Sequence, residues 1–466
     1  MVRGVSSFRS SEVRSKPLPL NYGAGDNWGQ MPAKVRYLSK LISETAQEGK
    51  QVQLTLPRNW IGSPKSLLPQ VYPMSLAAGR SYLAIPGPSV MPDRVLQAMH
   101  RAAPNIYTGE LHDVTASLVP DLKRLAGTSG DVAMYIANGH GTWEAALSNV
   151  LAPGEKALVL ATGRFGHGWA EIGLGLGADV EVMDFGMQSP ADPARLEDRL
   201  KADKGHTIKA VLVCHVDTAT GVKTPIKPLR DALTAAGHPA LLMVDCIASL
   251  GCDRFEMDAW GADVMLSACQ KGLMTPPGLG FVWFNDRAAA VQKAMDRVSV
   301  YWNWVPRANP EFYYQYWDGT APTHHVYGLR AALDMIFEEG LDAVWNRHEV
   351  LASAIWAAFD RWGQGGAIRL NVADPAFRSH AVTAVDAGGL DGERIQTYTE
   401  QHLGLTLGIG LGRDPAERFF RVGHMGHVNG QMILGVVGGI ETALQALNIA
   451  HGTGAVEAAA GALIQG

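Results

Sequence analysis

An α/β fold with a mostly parallel central sheet is what this sequence predicts, on three observations. Helix-like and strand-like runs alternate from residue 81 onward. Strand-like runs such as "KALVLAT" and "KAVLVCHV" are almost continuously apolar, as strands covered on both faces are. Past a long helical segment the pattern changes to a shorter mixture of strands and helices, which predicts a smaller α+β domain.

The elements follow in chain order. Residues 1–80 read as an irregular N-terminal extension, in which "PAKVRYLSKLISETAQEGK" has the spacing of one amphipathic helix among Pro, Gly and Asn. Residues 81–335 read as the large domain. There "VAMYIA" leads into helix "GTWEAALSNVL", strand "KALVLAT", helix "GHGWAEIGLGLG" and strand "DVEVMDF". Helix "DPARLEDRLKA", strand "KAVLVCHV", helix "IKPLRDALTAAG" and strand "ALLMVDCIAS" continue the alternation, before strands "ADVMLSA" and "GFVWFN". One long helical segment is expected from about His324 to Trp362. Residues 336–466 then read as the small domain, with strand "SHAVTAVDA", helix "GERIQTYTEQHLG", strands "LTLGIGLG" and "RFFRVGHM", and a helical region from Gln431.

Composition bounds the function. At 466 residues, 47% hydrophobic and 18% charged, the chain can bury a large core and hold two or more domains. A net charge of −5 offers no basic footprint, so no nucleic-acid partner is expected. No apolar run reaches the roughly 20 residues that span a bilayer, so no membrane association is expected. Cys214, Cys246, Cys252 and Cys269 form no CxxC pair and have no histidines at zinc-ligand spacing, which points to a reducing, cytoplasmic compartment. The opening "MVRGVSSFRSSEVRSKPLPL" is rich in Arg and Ser but lacks the apolar core of a secretory signal; a polar tail is the reading preferred to a transit peptide.

Four features are candidates for chemistry, and three of them hold. "GLGLGAD" (173–179) resembles a dinucleotide glycine loop, but it closes a helix and precedes a strand, so helix C-capping explains it better. "NGHGTWEAAL" has the opposite context. It follows a strand and opens a helix, where backbone N–H groups suit one phosphate, or where Asn138 simply caps the helix. Asp245 ends an apolar strand, at the edge where open α/β sheets bind ligands; it is a functional carboxylate or a helix cap. Lys271, in "SACQKGLMTPPGLGF", follows another strand with no acid nearby and a rigid turn after it. A lysine desolvated in this way has a lowered pKa and can form a Schiff base, whereas an exposed loop lysine would not. Phosphate cradle, strand-end Asp and later strand-end Lys together match the needs of pyridoxal 5′-phosphate: an anion site, a partner for its pyridinium nitrogen and an amine for its aldehyde.

At this point the residues resemble a known family. Lys271 in "SACQKGLMTPPGLGF", Asp245 in "VDCIASLG", "HVDTATGV" and "FFRVGHMG" are similar to the class V aminotransferases, nearest to the alanine–glyoxylate, serine–glyoxylate, serine–pyruvate and pyridoxamine–pyruvate subgroup. The likeness runs from "LAIPGPSVMPDRVLQAM" at residue 83 to the C-terminus. It implies fold type I of the pyridoxal-phosphate enzymes and a homodimer whose active sites are shared between subunits. By the same resemblance Lys271 would carry the cofactor and Asp245 would pair with its pyridinium nitrogen. Asn138, Gly139, His140 and Gln270 would hold its phosphate, with Asn138 standing where a small hydroxyl residue is commoner. Phe165, in "TGRFGHG", would stack on the ring, and Thr218 would contact the phenolic oxygen. Asp217 stands where the family often has Glu, which leaves its role open. Thr320, in "YWDGTAPT", would reach the phosphate across the dimer, and Arg421 would clamp the substrate carboxylate. Arg413 is either a second substrate arginine, of the type the pyridoxamine–pyruvate enzyme has, or a solvated loop residue.

The implied reaction is a ping-pong transamination from a small amino acid (alanine or serine) to a small oxo acid (glyoxylate or pyruvate). Lys271 would move the α-proton. The rival within the subgroup treats free pyridoxamine as the substrate with pyruvate. Cysteine desulfurase chemistry needs a nucleophilic Cys in the C-terminal half, and none follows Cys269. A non-catalytic binding protein would have no need of Lys271, Asp245 and Arg421 together. His424 and His427, in "HMGH", have no nearby Cys or acid ligand and read as structural, so no metal is expected.

Overall fold

The computed structural model describes residues 75–466, so the helix expected within residues 32–50 lies outside the described residues. The chain divides into Met1–Pro73 and Met74–Gly466, and the description concerns the second unit.

Seven strands form the central sheet, in the spatial order Asp131–Tyr135, Gly280–Phe284, Val264–Ala268, Leu241–Asp245, Ile208–Cys214, Lys156–Ala161, Asp179–Asp184. Every neighbouring pair is parallel except those made by Gly280–Phe284, which runs antiparallel to both its neighbours. Side chains alternate across a strand, so Leu158 and Leu160 join one apolar layer while Ala157 and Val159 join the other. Helices Glu110–Ala126, Ile226–Ala235 and Thr323–Glu339 cover the first face; Gly139–Val150 and Arg164–Gly175 cover the second. This double cover is why the central strands are almost continuously apolar: all five residues of both Leu241–Asp245 and Val264–Ala268 are buried.

A second sheet has the order Tyr82–Ala84, Leu405–Ile409, Phe419–Gly423, Val382–Asp386, Arg369–Leu370. It packs on helices Leu341–Gly363, Gly430–Ala446 and Ala455–Gln465 through a separate core around Phe359, Trp362, Phe420 and Ile440. Tyr82–Ala84, which the sequence reading groups with the large domain, pairs in parallel with Leu405–Leu407 in this second sheet. Its position matters, because the chain leaving it runs directly to Lys271.

Several elements end sooner than their apolar runs suggest. "ALLMVDCIAS" stops as a strand at Asp245, whose Oδ1 accepts from Ile247 N at 2.7 Å and bends the chain into a turn. "KAVLVCHV" breaks after Cys214, and Val216–Asp217 folds onto Val222–Lys223 as a small hairpin. The long helical segment is two helices, Thr323–Glu339 and Leu341–Gly363, separated at Gly340. Its φ of 90° suits glycine alone among ordinary helix residues.

Candidate active site

The carboxyl ends of the parallel strands converge on one edge of the central sheet, and there the predicted residues gather. Asn138 follows Asp131–Tyr135, Phe165 follows Lys156–Ala161, and Thr218 follows Ile208–Cys214. Asp245 ends Leu241–Asp245, and Lys271 follows Val264–Ala268. Ligand sites form at this edge because the loops leaving adjacent strands splay apart there.

Lys271 reaches back to the start of the described chain. Its Nζ donates to Pro86 O, its own carbonyl accepts from Ser89 Oγ at 2.6 Å, and Ser89 N donates to Gln270 O at 2.9 Å. Gly87 has a φ of +89°, and a Cβ there would lie 2.5 Å from Lys271 Cδ. The loop is therefore glycine where the lysine passes. Burial, then the nearby Arg421 cation, push the Lys271 amine down to about 8, against a smaller upward pull from Asp245.

Asp245 is buried. Trp143 Nε1 donates to its Oδ2 at 2.9 Å, and the Cys214 thiol lies 3.6 Å from the same oxygen. Burial pushes its carboxyl up to about 7, although the three donors Ile247, Trp143 and Cys214 pull the other way. A partner bearing positive charge against this carboxylate would restore its ionised form.

Helix Gly139–Val150 begins at the glycine-rich turn. Asn138 Oδ1 accepts from His140 N at 3.1 Å and Gly141 N at 3.3 Å, so Asn138 is a helix cap. Among the described residues its Nδ2 and the N–H of Gly139 make no hydrogen bond, and both stay available as donors. An Asn can thus cap with its oxygen and donate with its nitrogen, where a hydroxyl would do both with one atom. Gly139 has no room for a side chain, because a Cβ would strike Ile247 Cδ1. The side-chain oxygen of Gln270 is buried with no partner. His140 is exposed and tilted against Trp143, with ring centroids 4.6 Å apart.

Phe165 is half-buried with its ring edge-on to Trp143 at 6.2 Å. Asp217 holds its turn: Oδ2 accepts from Phe165 N at 2.8 Å and Gly166 N at 3.3 Å, while Oδ1 accepts from Ala219 N at 2.9 Å. The residue whose role was open is therefore a bracket for the Phe165 turn. Thr218 O accepts from Arg421 Nη1 at 2.9 Å, and Arg421 Nε donates to Ile409 O at 2.8 Å. These two bonds fix a buried guanidinium whose Nη2 makes no hydrogen bond among the described residues. Burial lowers Arg421 to about 10, and Arg413 adds to that lowering.

One candidate stands apart and another is better placed than expected. Thr320 is exposed, and no hydrogen bond among the described residues ties it to the other site residues. Arg413 is half-buried over the ring of Phe419 at 4.9 Å, so it is not a freely solvated loop arginine. His424 is buried with its ring nitrogens 2.9 Å from Thr383 Oγ1 and 2.9 Å from His380 O, whereas His427 is exposed. Among the described residues no group of three or more His, Cys, Asp or Glu side chains could hold a metal ion.

Sequence reasoning missed Trp143, Cys214, Pro86, Gly87 and Ser89. Trp143 had a legible signal, since a buried indole N–H needs an acceptor and the residue sits four places after Gly139 in an apolar helix. The loop 86–89 falls in "LAIPGPSVMPDRVLQAM", where the family resemblance begins, but its neighbourhood with Lys271 is made by folding.

The donor set fits pyridoxal 5′-phosphate. An amine of lowered basicity, a buried carboxylate lacking a cation, and a helix start with free donors answer its aldehyde, ring nitrogen and phosphate.

Comparison with known proteins gives the same picture. A family model described as "Aminotransferase class-V" matches residues 125–425. The serine–glyoxylate aminotransferase of Methylorubrum extorquens is 39% identical over 375 residues, covering 78% of this chain and 91% of that protein. That of Arabidopsis thaliana is 35% identical over 389 residues, covering 83% of this chain and 96% of that protein. The pyridoxamine–pyruvate aminotransferase structure from Mesorhizobium loti superposes with a TM-score of 0.76 at 24% identity, covering 84% of this chain and 99% of that one; at that identity the likeness concerns the fold.

Proposed function

Because the chain belongs to the class V aminotransferase family, we propose how its residues divide the work of moving an amino group between a small amino acid and a small oxo acid. When bound, pyridoxal 5′-phosphate supplies the aldehyde that captures the amino group and the electron-poor ring that draws electrons from the substrate's Cα. In our reading Lys271 is the residue that holds and releases the cofactor and then moves the α-proton. An amine near pKa 8 is partly neutral at physiological pH, which suits both tasks. Asp245 keeps the ring nitrogen protonated, and Trp143 keeps Asp245 aimed. Asn138, Gly139, His140 and Gln270 hold the phosphate, Phe165 stacks on the ring, and Thr218 meets its phenolic oxygen. Arg421 takes the substrate carboxylate on its unspent Nη2 side, since a planar guanidinium matches a carboxylate bidentately.

Alanine or serine as donor and glyoxylate or pyruvate as acceptor are the substrates we propose; the names of the relatives support glyoxylate. A homodimer is proposed on the exposed position of Thr320, which would serve the partner's phosphate site. Cytoplasmic residence is proposed on four unpaired, buried cysteines. We assign residues 81–335 to a large domain and 336–466 to a small one, with strand 82–84 lent to the small domain's sheet.

The observation that carries the reading is the placement of Lys271 and Asp245 at one edge of the central sheet, with Arg421 of the second sheet near enough to depress the Lys271 amine. Cofactor-loaded protein mixed with single amino acids, and separately with pyridoxamine, should form the matching oxo acid from alanine or serine. Formation of pyridoxal from pyridoxamine and pyruvate alone would favour the vitamer reading instead.

A further inference from the structure

We propose that the cleft between helix Leu341–Gly363 and the hairpin strand Val222–Lys223 binds a free aromatic amino acid, with Lys223 on its carboxylate and Glu349 on its ammonium. The cleft has a volume of about 360 Å³, within the roughly 300–1,000 Å³ of small-molecule sites. No residue placed around the cofactor lines it, so the inference is independent of the transaminase reading.

His215, Lys223 and Trp260 enter the cleft from the side of the central sheet. Trp345 and Glu349 come from helix Leu341–Gly363, and His380 from the approach to strand Val382–Asp386. Its walls are aromatic. Trp260 packs edge-on to His215 at 5.6 Å and to Phe255 at 5.0 Å, and Trp345 carries Arg254 over its ring at 4.7 Å. Aromatic rings favour edge-on and offset contacts with centroids about 4.5–7 Å apart, so a flat side chain suits these walls better than an aliphatic one.

The polar groups of the cleft are incompletely used. His215 is 1% exposed, and among the described residues its Nδ1 has no hydrogen-bond partner. Burial pushes its imidazole down to about 4, so the ring is neutral at physiological pH. A buried imidazole left unpaired is costly, and an occupant of the cleft it lines can complete it. Lys223 is the open cation. Its ammonium has three donors, yet among the described residues the one acid within salt-bridge distance is Asp253, whose Oδ1 lies 3.6 Å away, too far for a hydrogen bond. Asp253 is already taken by Ser379 Oγ at 2.8 Å and His380 N at 2.9 Å. Glu349 is the open anion: among the described residues no cation lies within salt-bridge distance of it, whereas Asp342 is taken by Arg254 at 2.7 Å. Burial depresses His380 most, but the fields of Lys223 and Glu349 both reach its ring, which gathers the two charges around one residue. A plain carboxylate would meet Asp253 and Glu349 as well as Lys223, and a plain amine would leave Lys223 unanswered. A zwitterion answers both charges, and its ring answers the walls.

The probe is L-tryptophan, titrated calorimetrically into cofactor-loaded enzyme. It should bind with a dissociation constant of about 1 mM or tighter. Tryptamine, which lacks the carboxylate, should bind about 10-fold more weakly, as expected of a lost charge-assisted pair. Indole-3-propionate, which lacks the ammonium, should bind about threefold more weakly, because Glu349 is exposed and its pairing is screened. Leucine keeps both charges without the ring and should bind about fivefold more weakly. Lys223→Gln should weaken tryptophan binding about 10-fold and Glu349→Gln about threefold. Arg421→Met should leave it unchanged, which separates the cleft from the substrate site. If Lys223→Gln does not fold, the tryptamine comparison and Glu349→Gln decide. Absence of binding, tryptamine or leucine binding as tightly as tryptophan, or loss of binding in Arg421→Met overturns the inference and leaves the transaminase reading standing.

Discussion

Trp143 Nε1 donates a 2.9 Å hydrogen bond to Asp245 Oδ2, joining the first turns of a helix to the end of a strand 102 residues away. The bond lies in a fully buried setting, where a donor lost to a carboxylate costs about 1–3 kcal/mol. Trp143→Phe should therefore weaken pyridoxal 5′-phosphate binding about 10- to 100-fold, measured by absorbance titration of cofactor-free protein. The lost donor stabilised the ionised carboxylate, so the Asp245 pKa should rise further above its value of about 7. The acid limb of cofactor binding should accordingly move to higher pH. Unchanged affinity and an unmoved limb would remove Trp143 from the site.

Reconstitution of cofactor-free protein should be gated by the Lys271 amine. Only the neutral amine attacks an aldehyde, so the rate should climb about tenfold per unit below pH 8 and level off above it. A neighbouring cation disfavours the ammonium form and lowers its pKa. Arg421→Met should therefore raise the midpoint, and stopped-flow absorbance across pH 6–10 would show the displacement.

Gly87→Ala tests the loop that lies on Lys271. The added methyl would overlap the outer carbons of that side chain in a backbone conformation that side chains rarely adopt. The lysine end is flexible, so the fold should survive while the amine is displaced. We expect wild-type far-ultraviolet dichroism with turnover reduced about 100-fold or more.

Asp217→Asn should act on the Phe165 turn. One carboxylate oxygen serves Phe165 N and Gly166 N while the other serves Ala219 N. An amide can offer an oxygen to only one side, and its NH2 then faces backbone donors on the other. A loss of about 1–3 kcal/mol in unfolding free energy is expected, read as a lower midpoint in urea. The isosteric change leaves shape intact, so an unaltered midpoint would show that the three bonds contribute little.

Replacing Lys271 with Ala bears on the whole reading. Transamination should become undetectable, and the purified variant should lose the visible absorption of covalently held cofactor. Full activity in that variant would end the assignment.

The legible part of the protein was what local chemistry writes into neighbouring residues. Unbroken aliphatic runs such as "KALVLAT" read as strands covered on both sides, and Asp245 and Lys271 could be placed at or just after such runs. The glycine turn before helix Gly139–Val150 announced a helix start with free donors. Capping by Asn138 and ligand binding looked like alternatives, yet the side chain has one atom for each. Apolarity misled at element ends, because "CIAS" after Asp245 is buried as a turn, and nothing in its hydrophobicity distinguishes that from a strand.

Sequence by itself therefore determined the α/β class and the residue types able to hold the cofactor, since periodicity and turn chemistry act over a few residues. Tertiary structure alone decided which of them meet. Pro86 lies 185 residues from Lys271, and Thr218 lies 203 from Arg421, yet each pair is hydrogen-bonded. It also decided that Arg413, ambiguous as one loop arginine, is stacked on Phe419 beside a second buried cation. Such neighbourhoods depend on strand order and on how two sheets pack, and no local pattern records them.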